Sequence, residues 1–477
     1  MKKFLKILLA CGIFLTSNQA SAENLQINLA DAVNLALQNN RTIEQSAEDR
    51  ESARWRLSAV RRSFGPRLTW NSTANRIGGR YYNYNRFLRY QFDAATDEEK
   101  IQSGHTLEDF PLYKSEFANT LSLSIPVYSG GQLESQKKSA EYNLNSADLT
   151  LENSRQEVKY QTTRAYYQVL QYSDMMNVQQ EEMQNLSEHL QTVQIQYEVG
   201  TVAMSDVLAT NVQLANSRQN YNSAQANYEN AVATLNNLMG LPVDSTLTID
   251  DDLKYSSFDW NENSCLEYAL NHRPDGIAAM YDVKSSEAAV SQAKAGRRPN
   301  VSAVVSGSIT GEGAFKADHR NESWAAGLEM NWDIFDNNVT SAQIHQAKSA
   351  QKKSESIAKQ QIENIRLEVH NAYTALRIAE KNIQITADAI NQAQEQYLIA
   401  KVRYEEGVDT NLNVMDAQEK LTQARTNYLS ALYYYNTSKA QLEKAMGVPI
   451  EIDAAIYAAA VDEGKVSKKA LEISKVE

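Results

Sequence analysis

Residues 190–214 read LQTVQIQYEVGTVAMSDVLATNVQL, and residues 397–421 read YLIAKVRYEEGVDTNLNVMDAQEKL. Both stretches carry Tyr-x-x-Gly at the same place, with Gly200 in the first and Gly407 in the second. The offset of 207 residues holds without a gap when residues 125–242 are laid on residues 332–449. A constant register of this length indicates an internal duplication, in which each copy is one structural repeat.

Each copy reads as a short helix, a strand, a loop, a strand, a very long helix and a second helix. Upstream of the long helices the offset becomes 233, so the first copy holds 26 additional residues between Pro66 and Ile125. We therefore predict a signal peptide at 1–22, a first structural repeat at 23–250, a second at 251–450 and a C-terminal tail at 451–477.

Two long stretches, residues 132–199 and 339–406, contain no proline and no glycine. Apolar and small residues recur in them at steps of four and three, which predicts a heptad seam and left-handed supercoiling. At 1.5 Å per residue each stretch makes a helix of roughly 100 Å. We predict long helices at about 131–199 and 338–406, with return helices at about 203–240 and 410–446 folded back beside them.

Four segments alternate apolar and polar residues, at about 67–77, 117–127, 301–310 and 324–332. In the second segment the apolar members are Leu121, Leu123, Ile125 and Val127. Each segment has about the length that a tilted strand needs to cross a bilayer, although a soluble sandwich face would show the same alternation. The tryptophans that suit a lipid-facing row with interfacial ends are Trp70, Trp324 and Trp332.

Four strands are too few to close a membrane barrel. An open sheet edge in lipid leaves backbone N–H and C=O groups unpaired, which costs several kcal/mol for each group. The pattern therefore predicts that several chains assemble, with each repeat contributing two strands.

The first 22 residues combine a basic start, a short apolar stretch and the small-x-small cleavage site Ala-Ser-Ala at 20–22. Cys11 could instead mark a lipoprotein cleavage site, but the apolar run before it is short. Cleavage at residue 22 leaves Cys265 as the one cysteine of the mature chain, which excludes an intrachain disulfide. The net charge of −12 argues against a nucleic-acid partner, and the mature chain lacks an apolar run of 18 residues.

The signal peptide, the duplication, the Tyr-x-x-Gly turns and the strand-end turns at 126–131 and 333–338 together resemble the TolC-like outer-membrane efflux protein family. The resemblance covers roughly residues 29–449. It implies an α+β membrane protein, a homotrimeric 12-stranded outer-membrane β-barrel with four strands per chain. The barrel would be continued by a long α-helical coiled-coil tunnel in the periplasm of a Gram-negative-type cell.

In function the resemblance implies the channel and exit duct of a tripartite efflux or type I secretion system. Such a duct passively conducts substrate from a periplasmic adaptor (membrane fusion) protein and an inner-membrane efflux pump or ABC transporter. Outer-membrane lipid is then a further partner. The sequence does not identify the substrate; small-molecule efflux ranks first because dedicated metal efflux favours His or Met clusters, and none is evident.

In that family the residues after the Tyr-x-x-Gly turns line the periplasmic entrance, and acidic side chains there form the narrowest ring. Carried over by position, the gate and selectivity residues are Tyr197, Asp206, Tyr404, Asp409, Asn413 and Asp416. The hairpin tips that dock the adaptor are then Gly200, Thr201, Val202, Gly407 and Val408.

Two gate positions depart from the family's pattern. Asp409 stands where the best-known member has the arginine that ties the gate shut to the acid of the first copy, and Asn413 stands where it has an aspartate. If Asp409 approached Asp206, the two carboxylates would repel each other, so we expect a cation or Tyr404 to hold the gate in its closed state. Three Asp416 side chains about 7 Å apart would repel by about 2 kcal/mol per pair at an effective dielectric near 20, which predicts cation selectivity and divalent block.

No pattern in the sequence predicts catalysis, a cofactor or a resident metal. The six histidines have no metal-ligand spacing, and neither a Gly-rich phosphate loop nor a nucleophile elbow is present. The competing class is a periplasm-spanning structural tether with a barrel anchor and no transport role. Polar residues outside the helix seams suit a water-filled lumen and favour the channel. The Tyr- and Arg-rich insertion at 78–116 is predicted to be a long surface loop that contacts lipid or forms a partial lid.

Overall fold

The structure, a computed structural model, describes residues 25–110, 114–249, 251–311 and 322–448. The predicted signal peptide with Cys11 and the predicted tail at 451–477 lie outside the described residues. In the described part of the chain, no helix combines the length and the hydropathy that a membrane span requires.

In each repeat the long helix and the return helix follow the two strands of the sheet, as predicted, whereas two short helices and not one precede the first of these strands. The helices are α1 (Leu29–Asn39), α2 (Arg41–Arg62), α3 (Arg80–Ala94), α4 (Asp97–Ser103), α5 (Gln132–Glu198), α6 (Met204–Leu238), α7 (Glu262–His272), α8 (Pro274–Ala295), α9 (Val339–Glu405) and α10 (Asn411–Met446). The strands are β1 (Leu25–Gln26), β2 (Arg67–Ile77), β3 (Lys114–Tyr128), β4 (Leu247–Thr248), β5 (Asn300–Gly311) and β6 (Glu322–Asn331).

The chain forms two compact units, and each takes segments from both sequence repeats. Of the described residues, the helical unit comprises 25–50, 146–249, 251–280 and 357–448, and the sheet unit comprises 51–110, 114–145, 281–311 and 322–356. Contacts such as the hydrogen bond from Gln171 Nε2 to Ser430 Oγ (3.4 Å) join the first repeat to the second inside the helical unit. The two repeats are therefore not separate packing units.

The core of the helical unit consists of the predicted heptad seams. On α5, Val158, Val169 and Val193 are almost fully buried, and on α10 Tyr435 and Leu442 are fully buried. Full burial of an aliphatic or aromatic side chain contributes about 1.5–3 kcal/mol, so these seams hold the long and return helices together. The short β1 and β4 pair in parallel beside this core.

The sheet unit contains an antiparallel sheet in the order β2, β3, β5, β6. Two paired rows on one face are Trp70, Leu121, Gly307, Trp324 and Leu68, Leu123, Val305, Ala326. The rows that alternate with them are Thr69, Ser122, Ser306, Ala325 and Asn71, Thr120, Ser308, Ser323. Because successive side chains point to opposite faces, one face is apolar and the other carries hydroxyl and amide groups.

A β-bulge changes the alternation near the end of β3. Pro126 lies opposite Ser302, but the next paired residue is Tyr128, opposite Val301, which leaves Val127 as the additional residue. Strict alternation predicts Val127 as the residue paired opposite Val301. Tyr128 takes that place, because the bulge shifts the register by one residue.

The three predicted interface tryptophans are all exposed in this chain. Trp70 and Trp324 belong to the same row of the apolar face. Trp332 lies just beyond β6, and its indole Nε1 donates a hydrogen bond to Arg297 O at 3.2 Å. An apolar ring with one satisfied polar atom is the pattern that suits a membrane–water interface.

The insertion between β2 and β3 is helical, which corrects the prediction of a loop. It contains α3 and α4. Thr96 and Glu99 form a capping box at the start of α4, in which Thr96 N donates to Glu99 Oε2 at 2.9 Å. This reciprocal cap satisfies backbone donors that would otherwise be free, and so favours a helix over a loop.

Candidate functional site at the two helix turns

The long helices α5 and α9 both end at a glycine in the left-handed region, with φ of +81° at Gly200 and +75° at Gly407. Thr201 N donates to Gln196 O at 2.9 Å, and Val408 N donates to Arg403 O at 3.0 Å. These are the closing bonds of a Schellman motif, which satisfies helix carbonyls at the C-terminus. A Cβ on either glycine would meet nothing within 4 Å, so the backbone angle and not space requires glycine there.

The tip residues beside these glycines differ in exposure. Thr201 and Val408 are exposed, whereas Val202 is half-buried and packs against an apolar cluster to which α5, α6, α9 and α10 all contribute. Of the residues predicted to dock the adaptor, the one directly after each glycine is therefore exposed: Thr201 in the first turn and Val408 in the second.

Three of the predicted gate residues line one groove along α9 and α10. Asp409, Asn413 and Asp416 share it with Arg403 and Glu395. The spacing of three to four residues from 409 to 416 places these side chains on one side of the start of α10. Asp206 is not among the residues that line this groove.

Asp409 is engaged by groups of its own turn. Asn413 Nδ2 donates to Asp409 Oδ1 at 2.5 Å, Thr410 N donates to the same oxygen at 2.8 Å, and Arg403 Nε lies 3.5 Å from Asp409 Oδ2. These contacts, with the Asn413 hydrogen bond foremost, hold the pKa of the Asp409 carboxyl below its ordinary value. Arg403 therefore supplies a cation beside Asp409.

Asp416 also has a cationic partner. Lys420 Nζ lies 2.7 Å from Asp416 Oδ2 one helical turn further along α10, and both side chains are about half exposed. An exposed i,i+4 pair of this kind contributes about 0.3–0.5 kcal/mol. The pair is weak, but Lys420 opposes the negative potential that the sequence predicts at Asp416.

The two predicted gate tyrosines have different environments. Tyr197 is exposed, whereas Tyr404 is 5 % exposed. The Tyr404 hydroxyl is buried without a hydrogen-bond partner among the described residues. Burial and, second, the charge of Asp206 raise the pKa of Tyr404. Asp206 thus acts on Tyr404 through its charge, and no hydrogen bond joins the two side chains.

A polar network that the sequence did not predict joins the two repeats at the turns. Asn411, 5 % exposed, donates through Nδ2 to Thr210 Oγ1 at 3.0 Å and to Asp206 O at 3.3 Å. Its Oδ1 lies 2.7 Å from His189 Nε2. The His189 ring packs edge-on against Tyr404, with ring centroids 5.2 Å apart. One asparagine thus connects α5, α6 and α10, and the histidine extends the contact to α9.

The repeat contains the signal that could have found this network. At the offset of 207, Asn411 matches Met204 and Thr210 matches Ala417. Asn411 and Thr210 are therefore polar where the other copy has an apolar residue, whereas His189 matches the polar Gln396. A buried polar residue at a seam position needs a partner, which such a mismatch would have predicted.

Among the residues that the structure describes, no three His, Cys, Asp or Glu side chains come together as ligands of a metal ion. What the turns offer chemically is a set of charged and hydrogen-bonding groups that a change in helix packing would rearrange.

Three comparisons relate this chain to known proteins. The family model described as "Outer membrane efflux protein" matches residues 32–241 and 265–448, most of the chain. The chain is 22% identical over 468 residues to outer membrane protein TolC of Escherichia coli (strain K12), which covers 95% of this chain and 88% of the relative. It is 22% identical over 437 residues to alkaline protease secretion protein AprF of Pseudomonas aeruginosa, which covers 91% of this chain and 87% of the relative.

The fold is also similar to solved structures. The superposition on the CmeC outer membrane channel of Campylobacter jejuni has a TM-score of 0.75 at 17% identity and covers 94% of each chain. The arrangement of long helices and a small sheet is thus the fold of outer-membrane channels.

Proposed function

Since the chain belongs to the outer membrane efflux protein family, we propose that it is the outer-membrane exit duct of a tripartite efflux or type I secretion system. It receives substrate from a periplasmic adaptor and an inner-membrane pump or ABC transporter, and conducts it passively to the exterior. Relatives named for antibiotic efflux and for protease secretion support both forms of this role.

The observation that carries this proposal is the two-faced sheet with free edges. Within the described residues β2 and β6 each pair on one side only. Three copies joined edge to edge would give twelve strands and leave no edge unpaired in lipid. The apolar face would then meet lipid and the hydroxyl-bearing face would line the pore.

In the assembled channel, the groove residues Asp409, Asn413 and Asp416 from three copies would surround the periplasmic entrance. Asp206 and the two tyrosines Tyr197 and Tyr404 would support them from the neighbouring helices. The exposed turns at Gly200 and Gly407 would dock the adaptor. A structural tether is the alternative, but a tether needs no polar inner face on its sheet.

The Asp416–Lys420 pair leads to a prediction for divalent block. Current through the reconstituted mature protein in planar bilayers should be blocked by divalent cations added from the helical side, because three Asp416 carboxylates attract them. Lys420→Gln should strengthen this block, since it removes the opposing charge, and Asp416→Ala should weaken it. The measurement is the blocking concentration in the three proteins.

Equal block in wild type and Asp416→Ala would contradict the assignment of the acid ring. If the correctly assembled oligomer conducts no current in the wild type and in both variants, the result would instead favour the tether.

A further inference from the structure

The hydrogen bonds around Asn411 determine where the proton of His189 lies. Asp206 O is a carbonyl and can only accept, so Asn411 must turn its amide nitrogen towards it. Asn411 Oδ1 therefore faces His189 and can only accept as well. His189 Nε2 must carry the hydrogen, and the neutral ring leaves Nδ1 without one.

A second proton on His189 would place a positive charge at a half-buried site. Two charged groups of α9 act on this site: Lys401 disfavours the positive charge and Glu405 favours it. The ring of Tyr404, on the same helix, packs against His189, and the charge of Asp206 on α6 acts on Tyr404. Asn411 of α10 is neutral. Burial outweighs the help from Asn411 and Glu405, so the pKa of His189 lies below its ordinary value of 6.5.

The network also joins the two helical hairpins, and we call it the latch: the contacts of Asn411 with His189, Thr210 and Asp206 O. His189, Thr210 and the Asp206 carbonyl belong to the hairpin of the first repeat, and Asn411 belongs to that of the second. Any separation of the two hairpins at their turns must break all three contacts of Asn411. Both hairpins lie in the helical unit.

We infer that His189 and Asn411 are positioning residues that hold the turns closed at neutral pH, and that protonation of His189 favours separation of the turns, because the closed arrangement keeps the added charge half-buried. The Nε2–H bond to Asn411 survives the second proton, so the driving force is hydration of the charged ring and not loss of that bond. This inference rests on the proposed channel function for its consequence, which is a gate that opens more often in acid. The sign follows from linkage. The closed state depresses the pKa of His189 and the released state restores it, so closure is complete above pH 6.5 and weakens as pH falls below it.

The test compares channel openings at pH 7.5 and pH 5.5 in wild type, His189→Gln and Thr210→Val. Glutamine can donate the same hydrogen bond to Asn411 but does not titrate. Each pH unit below 6.5 can shift the closed-to-open ratio by up to about tenfold for one chain, until the depressed pKa is reached. Wild type should therefore open several-fold more often at pH 5.5, His189→Gln should stay equally closed at both values, and Thr210→Val should open more often already at pH 7.5.

A second readout does not depend on conduction. Val199 and Val408 are both well exposed. Nitroxide labels attached in a variant with Val199→Cys and Val408→Cys report the separation of the two turns by pulsed electron paramagnetic resonance. Labelled chains are diluted with unlabelled ones so that the distance is measured within one chain. Cys265 is fully buried and can remain. The distance should lengthen with acid in the wild type and stay constant in the His189→Gln background.

The outcomes separate the two proposals. A pH-dependent distance without current would contradict the channel but support the latch. Current with the same pH response in wild type and His189→Gln would overturn the latch and leave the channel standing. A closed Thr210→Val protein at neutral pH would equally overturn it, since the network would then hold nothing.

Discussion

Leu123→Arg is expected to abolish assembly of the protein in an outer membrane. Leu123 lies in the apolar row with Leu68, Val305 and Ala326, which the proposed barrel turns towards lipid. An arginine on the lipid face of a barrel costs up to about 2–4 kcal/mol in each chain, the largest cost applying at the bilayer midplane, and a trimer contains the substitution three times. A total of up to about 6–12 kcal/mol is comparable to the whole stability of a typical protein.

Ser122→Arg is the matched control, because Ser122 is the neighbouring residue in the row with Thr69 and Ser306 on the opposite face. The same side chain would then point into water, and the assembled protein should persist. The amount of heat-resistant oligomer in outer-membrane fractions of a Gram-negative host measures both. If the two variants assemble equally well, the assignment of the sheet faces is wrong.

The sequence predicted the elements of this fold well because its signals were long and regular. Two stretches without proline or glycine, each closed by a glycine with positive φ, became α5 and α9. Period-two alternation located all four strands of the sheet within about three residues. It could not predict the bulge at Val127, since one additional residue in β3 depends on the partner strand β5 and not on the pattern of β3 alone.

The candidate site was predictable only where it follows helix periodicity. Asp409, Asn413 and Asp416 lie at helical spacing and share a groove in the structure. The interactions that distinguish this chain come from residues far apart in sequence. His189 and Asn411 are 222 residues apart, and the packing of helices from both repeats brings them together. A histidine without a metal-ligand neighbour in the sequence therefore gave no indication of its partner.

Both repeats use a side chain to hold the C-terminal end of the return helix, but with different chemistry. In the first, Asn40 Nδ2 donates to Leu238 O at 3.0 Å. In the second, Arg273 occupies the matching position and its Nη1 donates to Ala445 O at 3.3 Å. A neutral amide needs no counter-ion when buried, whereas a guanidinium does.

Asp275→Leu is therefore expected to destabilise the helical unit strongly. The Arg273 side chain is 7% exposed, and Asp275 binds it with both oxygens, from Nε at 3.0 Å and from Nη2 at 2.5 Å. Glu368 contacts Nη1 at 2.5 Å, but it is 52% exposed and shared with water. Loss of one partner of a buried ion pair costs about 3–5 kcal/mol, and here the remaining buried charge would keep only the half-exposed Glu368, so the loss should approach the lower end of that range. The midpoint of denaturant unfolding should fall accordingly.

Two further variants distinguish charge from packing in this effect. Asn40→Ala removes the equivalent neutral bond of the first repeat and should cost only about 1 kcal/mol. The double variant Arg273→Met with Asp275→Leu removes both charges and should recover most of the loss, since a well-packed apolar pair can replace a buried ion pair at little cost. If the double variant is no more stable than Asp275→Leu alone, the loss comes from packing and not from the orphaned guanidinium.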